Sequence, residues 1–313
     1  MATVPQENLT RVQSVPTRWT QIIRWTESLL VAMIVLTAIA PLLQIDRWRM
    51  GMLLTYPPRL LIIFPAAIGL VALLYRRQFV KVTLVAAAIG LLGFDLGFGG
   101  GPQTSQNAGQ QQIIGLAFNV HDATKNVGDL AELCRDNSVQ LLCLQEVKAK
   151  NRQAFIDGLP DYKLFSGNES IEYEYSRSGG FDSLIGIHRD LLTASEKIEI
   201  ATGITGYRTF AVRTLIDSKP IWLVNVHTTK AFWSHGGITG LINKADYKSL
   251  RHTREFDALS DWISSRGDVP VVIAGDFNAP INSRNLRFKD FESAHRVAGS
   301  GFQLTFPAKF PVW

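Results

Sequence analysis

Cysteine is scarce in this chain, with two residues in 313, and no Cys-x-x-Cys pair occurs. That excludes a zinc site built on paired thiolates and a dithiol redox motif. Cys134 falls in a helical pattern and Cys143 in an apolar strand. Both read as buried free thiols that pack as small hydrophobes, and they leave the compartment open. Net charge is missing where a nucleic-acid binder would need it. The chain carries +5 overall, with a pI near 9.2. Residues 1–101 hold nine Lys/Arg against four Asp/Glu, whereas residues 102–313 hold 23 of each. The basic excess therefore belongs to the N-terminal third, and a broad phosphate-binding face on the remainder has no support from composition. No internal repeat is visible.

Long apolar runs are present, and they cluster in roughly the first hundred residues. Ser28–Ile45 has no charge and is flanked by Trp25 and Trp48. A second run, Leu60–Tyr75, contains Pro65, which membrane helices tolerate, and a third, Val82–Phe98, carries Asp95 near its end. Runs approaching ~20 apolar residues with aromatic borders predict about three transmembrane helices in an anchor spanning 1–98. A buried helical hairpin is the competing reading. A cleaved signal is another, opposed by the long lead and by Pro41 directly after Ala38-Ile39-Ala40. Arg11, Arg18, Arg24, Arg76, Arg77 and Lys81 flank one side of these runs, against Arg47, Arg49 and Arg59 on the other. The positive-inside rule then puts the N-terminus in the cytoplasm and the C-terminal domain outside, in a multi-pass protein of the plasma (inner) membrane. Residues 99–112, rich in Gly, Gln, Ser and Asn, read as a flexible linker.

From residue 113 to 313 short apolar runs alternate with amphipathic ones. Strands are expected at Ile113–Val120, Leu141–Val147, Leu184–His188, Tyr207–Asp217, Ile221–Val226 and Val269–Ala274. Helices are expected at Asn126–Asn137, Arg152–Leu159 and Ala245–Ser265, the last with Leu250, Phe256, Leu259 and Ile263 on one side. This alternation predicts a layered α/β domain with a mixed sheet.

Four polar clusters sit at the ends of those strands. Asn119 ends the first, Glu146 the second, Asn225 and His227 close another, and Asp276 and Asn278 follow the last in Gly275-Asp276-Phe277-Asn278. Each has an ordinary reading alone: a solvent-facing Glu, a turn Asn, a structural His, an Asx turn. Together they make a set fit for metal-assisted hydrolysis. Mg²⁺ takes one or two carboxylates with water and phosphate oxygens, for which Glu146 and the Asn119 amide form a minimal cradle. His227 and Asn278 can donate hydrogen bonds to a phosphate, and Asp276 can orient or activate water.

Phe118-Asn119-Val120, Leu144-Gln145-Glu146-Val147, Asn225-Val226-His227 and Gly275–Asn278 together resemble the endonuclease/exonuclease/phosphatase superfamily, the DNase I-like group, over about residues 112–313. The N-terminal runs make the resemblance one to a membrane-anchored, bacterial-type member. It implies a four-layer α/β/β/α sandwich and a phosphoester hydrolase (phosphodiesterase, nuclease or phosphatase) using Mg²⁺, with Mn²⁺ as the alternative ion. By motif it implies Glu146 as main metal ligand with Asn119 nearby, and His227 on the scissile phosphate. Asp276 would act on the attacking water, and Asn278 would bind phosphate and support Asp276. Asn225 is carried over to the substrate phosphate, with a structural role as the alternative. The implied partners are the lipid bilayer and a phospholipid, nucleotide or nucleic-acid substrate.

One departure stands out. The family closes on a strand bearing an Asp-His pair, and the chain runs Thr305-Phe306-Pro307 to Trp313 without one. The expectation is a C-terminally incomplete catalytic domain. The competing function is a catalytically inactive, membrane-tethered binding protein, or a truncated fragment, on the same fold. Phe232, Trp233 and Gly236-Gly237, and Tyr173 and Tyr175, are candidates for shaping specificity or ordinary surface loops.

Overall fold

The computed structural model describes residues 18–40, 59–95, 113–121, 127–167, 181–192, 199–201, 208–216, 218–230 and 237–279, with positions 43, 204, 283, 286, 288 and 291 besides. The linker at 99–112, Tyr173, Tyr175, Phe232, Trp233 and the C-terminal stretch expected to lack the Asp-His pair lie outside the described residues.

Helices occupy all three N-terminal apolar runs: α1 (Arg18–Ile39), α2 (Arg59–Tyr75) and α3 (Phe79–Asp95). Helix α3 packs against both of the others, burying Val31, Ile34, Ala66, Val85, Ala88 and Leu92 between them. Their outer faces expose Leu29, Met33, Leu36, Phe64, Ile68 and Val71. Glu27 meets Arg76, Gln78 and Lys81, pairing α1 with the α2–α3 turn. The expectation of about three spans is corrected. Among the described residues only α1, with 22 residues and a mean hydropathy of 1.8, is long and apolar enough to cross a bilayer, and a signal sequence passes the same test. Helices α2 and α3 have 17 residues each, so at 1.5 Å per residue they reach ~26 Å, short of a ~30 Å hydrocarbon core.

Among the described residues, the C-terminal part contains two four-stranded mixed sheets. The first has the order β1 (Gly115–Asn119), β2 (Leu141–Lys148), β4 (Phe181–His188), β3 (Tyr162–Ser166), and the second β5 (Glu199–Ala201), β6 (Phe210–Ile216), β7 (Lys219–His227), β8 (Val271–Asp276). Each sheet has one parallel edge pair, β1–β2 and β7–β8, and antiparallel pairs elsewhere. Parallel neighbours need a crossover, supplied by α4 (Val127–Asp136) in the first sheet and α6 (Gly237–Ser264) in the second. A short helix, α5 (Arg152–Gly158), follows β2.

Alternation along the strands assigns the layers. Leu142 and Leu144 face α4 and α5, joining Val127, Leu130, Cys134 and Phe155 in one core. Cys143, one residue out of phase, joins Ile185, Ile187, Phe210, Val212 and Leu223 between the sheets. Ala211, Trp222, Val224 and Val226 face α6 and meet Leu259 and Trp262. The order is helices, sheet, sheet, helix, which is the expected α/β/β/α sandwich. Both cysteines are free and buried, as read from the sequence.

Three differences from the sequence reading have physical causes. Strands β3 and β5 were not expected; β5 is a three-residue edge strand, too short to show a period. Helix α6 begins eight residues earlier than expected, because Gly237 and Gly240 interrupt its helical composition. Leu250 is 51% exposed, and the buried stripe instead runs through His252, Glu255, Phe256 and Leu259. Polar residues at two of those positions hid the true face.

Candidate active site

The two parallel edge pairs bring the ends of β1, β2, β7 and β8 to one side of the sandwich, with β1 against β8. Asn119 and Asp276, 157 positions apart, meet there: Asn119 Nδ2 donates to Asp276 Oδ2 at 2.9 Å. The second Asp276 oxygen accepts from the Asn278 backbone N–H at 3.0 Å, so both carboxylate oxygens are fixed.

Glu146 reaches this cleft through a bulge. Simple alternation would point it the same way as Leu142 and Leu144, into the helix-side core. The β2–β4 register shifts between Leu144 and Val147, Glu146 takes φ +59°, and Val147 rejoins the helix-side core in its place. A bulge re-aims a side chain in this manner. A non-glycine residue in the left-handed region stores roughly 1–3 kcal/mol of strain, a pattern that clusters at functional sites.

Around the buried Glu146 carboxylate, three nitrogen groups converge. His121 Nδ1 lies 2.8 Å from Oε2, while Lys230 Nζ at 3.3 Å and His227 Nε2 at 3.5 Å face Oε1. The His227 side chain holds the Glu146 carboxyl well below the usual carboxylate range, against the opposing effect of burial and with further help from His121, Lys230 and Asn119. At 3.5 Å the His227 contact is long for a hydrogen bond, and among the described residues neither ring nitrogen has a hydrogen-bond partner. Its pull on Glu146 is therefore chiefly that of a nearby polar group. The ligand atoms of Glu146, His227 and Asp276 lie within 4.8 Å of one another.

The loops carrying these groups are bonded to each other and to α6. Thr228 N–H donates to the Asp276 carbonyl at 3.1 Å, Thr228 Oγ1 donates to the Phe277 carbonyl, and Asn278 Nδ2 donates to the Thr228 carbonyl at 2.9 Å. Asn278 sits at φ +46°, a region asparagine tolerates. Gly275 is at φ +139°, and a Cβ there would fall 2.1 Å from the Val226 carbonyl oxygen, so the strand approach admits only glycine. From α6, Glu255 accepts from Thr229 N–H and Oγ1, each at 2.6 Å, and His252 Nε2 contacts the Phe277 carbonyl at 3.2 Å.

Of the residues singled out from sequence, Asn119, Glu146, His227, Asp276 and Asn278 come together. Asn225 does not join them. Its side chain points between the sheets, where Oδ1 accepts from Gln145 Nε2 at 2.7 Å and Nδ2 donates to the Leu144 and Leu184 carbonyls at 2.9 and 2.8 Å. With 0% exposure and these three bonds, Asn225 ties the two sheets together. Sequence reasoning missed His121, Lys230, Glu255 and His252. A signal existed for the last two, since they are polar at the spacing of the buried face of α6. None existed for Lys230.

No curated protein matches this chain. Among solved structures it is similar to a humanized TDP2 from D. rerio, at 17% identity and a TM-score of 0.40, covering 56% of this chain and 66% of that one. It is also similar to a mannosyl-6-phosphatase from Bacteroides thetaiotaomicron, at 11% identity and a TM-score of 0.38, covering 56% and 70%. A β-hairpin deletion mutant of Staphylococcus aureus beta toxin gives 13% identity and a TM-score of 0.42, covering 56% and 73%. The chain spans 48% to 66% of the length of the first TDP2 structures it matches. The model of the Endonuclease/Exonuclease/phosphatase family matches residues 116–313, well over half of the sequence, and the chain belongs to that family.

Proposed function

We propose that this protein is a membrane-tethered, divalent-metal-dependent phosphoester hydrolase. The observation that carries the reading is His227: its side chain is 1% exposed, it faces Glu146 and Asp276, and among the described residues neither ring nitrogen has a hydrogen-bond partner. Leaving a buried polar group unsatisfied costs roughly 1–3 kcal/mol, a cost relieved when a group such as a phosphate oxygen accepts from the ring.

The donor set fits Mg²⁺, which prefers oxygen ligands and one or two carboxylates. The ligand atoms of Glu146, His227 and Asp276, all within 4.8 Å of one another, are close enough for an ion to rest among them. Glu146 would hold the ion, with Asn119 beside it; Mn²⁺ takes the same oxygen donors. A bound ion would supply positive charge to offset the negative charge developing on the phosphate oxygens.

The chain's own residues account for the other parts. Asp276, its carboxylate set by Asn119 and Asn278, orients water and takes its proton as the water oxygen attacks phosphorus and the ester oxygen departs. His227 donates to a phosphate oxygen from a site fixed before substrate arrives, which is how preorganised donors favour the transition state. Asn278 supports Asp276 through its backbone N–H, and its side-chain amide, bonded to the Thr228 carbonyl, braces the loop after β7.

Residues 1–98 would form the anchor, 99–112 the linker and 113–313 the catalytic domain. The length and apolar character of α1, with the exposed apolar residues Leu29, Met33 and Leu36 on its outer face, support a tether through that helix. Flanking positive charge favours an extracytoplasmic catalytic domain in the plasma (inner) membrane, as in a bacterial-type member. Zero net charge over 102–313, together with the tether, favours a phospholipid over nucleotide or nucleic-acid substrates.

The test is hydrolysis of sphingomyelin, phosphoinositide and DNA with Mg²⁺ or Mn²⁺, alongside Glu146→Gln and Asp276→Asn. Turnover abolished by EDTA and by both substitutions is expected; turnover of none of these, or turnover indifferent to EDTA, defeats the reading. Protease treatment of intact cells should remove the catalytic domain, and a protected domain reverses the topology.

A further inference from the structure

We propose that Lys230 is a substrate-phosphate ligand, parked on Glu146 in the metal-free protein and released to the phosphate when a divalent ion binds. The proposal deepens the hydrolase reading above and rests on it.

The geometry gives Lys230 a fixed root and a free tip. The two residues before it are pinned: Thr228 N–H to the Asp276 carbonyl at 3.1 Å, and Thr229 to the buried Glu255 carboxylate by two bonds of 2.6 Å. The Lys230 side chain itself is 50% exposed, and its Nζ stands 3.3 Å from Glu146 Oε1. His227 Nε2 faces that same oxygen at 3.5 Å, and His121 already occupies Oε2 at 2.8 Å. One carboxylate does not need three such neighbours for its own burial.

Binding of a divalent ion at Glu146 would set two positive charges beside the ammonium. Like charges at such a separation in a part-buried site repel well above thermal energy. Lys230 therefore has to leave Oε1. Its pinned backbone and flexible four-carbon stem keep the ammonium at the mouth of the same cleft, where a phosphate bound beside His227 would offer it negative charge. A charge-assisted bond to that phosphate follows. The competing role is structural, with Lys230 merely neutralising Glu146.

Calorimetry on the full chain in detergent separates the two, using Mg²⁺ alone and then inorganic phosphate at saturating Mg²⁺. Lys230→Met and Lys230→Gln should take up Mg²⁺ as tightly as the unaltered protein or more tightly, since a competing cation is gone. Both should bind phosphate about tenfold or more weakly, while Lys230→Arg stays within about threefold. Weaker Mg²⁺ uptake in Met and Gln variants would show a structural role and overturn the proposal. Unchanged phosphate affinity in those variants, with Mg²⁺ uptake normal, overturns the proposal and leaves the hydrolase reading standing. An unaltered protein that takes up no Mg²⁺ overturns both.

Discussion

Asn225→Ala should unfold the sandwich more than it impairs any chemistry. The substitution removes three hydrogen bonds that cross between the sheets: Gln145 Nε2 to Asn225 Oδ1 at 2.7 Å, and Asn225 Nδ2 to the Leu144 and Leu184 carbonyls at 2.9 and 2.8 Å. Each is worth ~1 kcal/mol net. Gln145 is 1% exposed and, among the described residues, keeps only its bond to the Cys143 carbonyl, so its under-satisfied amide adds ~1–2 kcal/mol. The sum is ~4–5 kcal/mol. For a domain of this size ~1 kcal/mol shifts the midpoint by ~2–4 °C, so a fall on the order of 10 °C is expected in thermal unfolding followed by near-ultraviolet circular dichroism. Because Gln145 and Asn225 share a bond, the double variant should cost less than the two singles added, by ~0.5–3 kcal/mol. An Asn225→Ala protein that melts within ~2 °C of the parent, yet loses substrate binding, would refute this reasoning and return Asn225 to the phosphate.

Three further outcomes are expected. Gly275→Ala would place its Cβ 2.1 Å from the Val226 carbonyl oxygen, so β7 and β8 must separate at the site; the variant should lose several kcal/mol of stability or fail to accumulate folded, and a normal melt would contradict the fit. Glu146 has its carboxyl depressed from an ordinary 4.5, so its charged form stabilises the fold above about pH 4.5 and that stabilisation fades as pH falls below. The stability gap between the metal-free parent and Glu146→Gln should therefore narrow on acidification below that pH, and urea melts showing a constant gap would exclude it. Burial pushes the Cys143 thiol up to about 12 and raises that of Cys134, so neither should react with a disulfide reagent until the protein unfolds; prompt labelling of the native protein would contradict the packing.

Sequence alone determined the alternating α/β pattern, the apolar N-terminal runs and the four polar clusters at strand ends. Each is written in local order, as a period of two or 3.6 residues or as a motif of three or four. It could not determine which face a strand residue presents to which neighbour. Asn225 and His227 lie two apart on β7 with the same facing by alternation, yet Asn225 spans the sheets while His227, at the strand end, opens onto the cleft. Glu146 belongs to the cleft only because a bulge breaks the alternation that would have buried it against α4 and α5. Asn119 finds Asp276 across 157 positions because two parallel edge pairs abut, and Lys230 reaches Glu146 because α6 pins the loop before it. Contacts of that range leave no periodic trace in the chain, so only the packed sandwich could decide them.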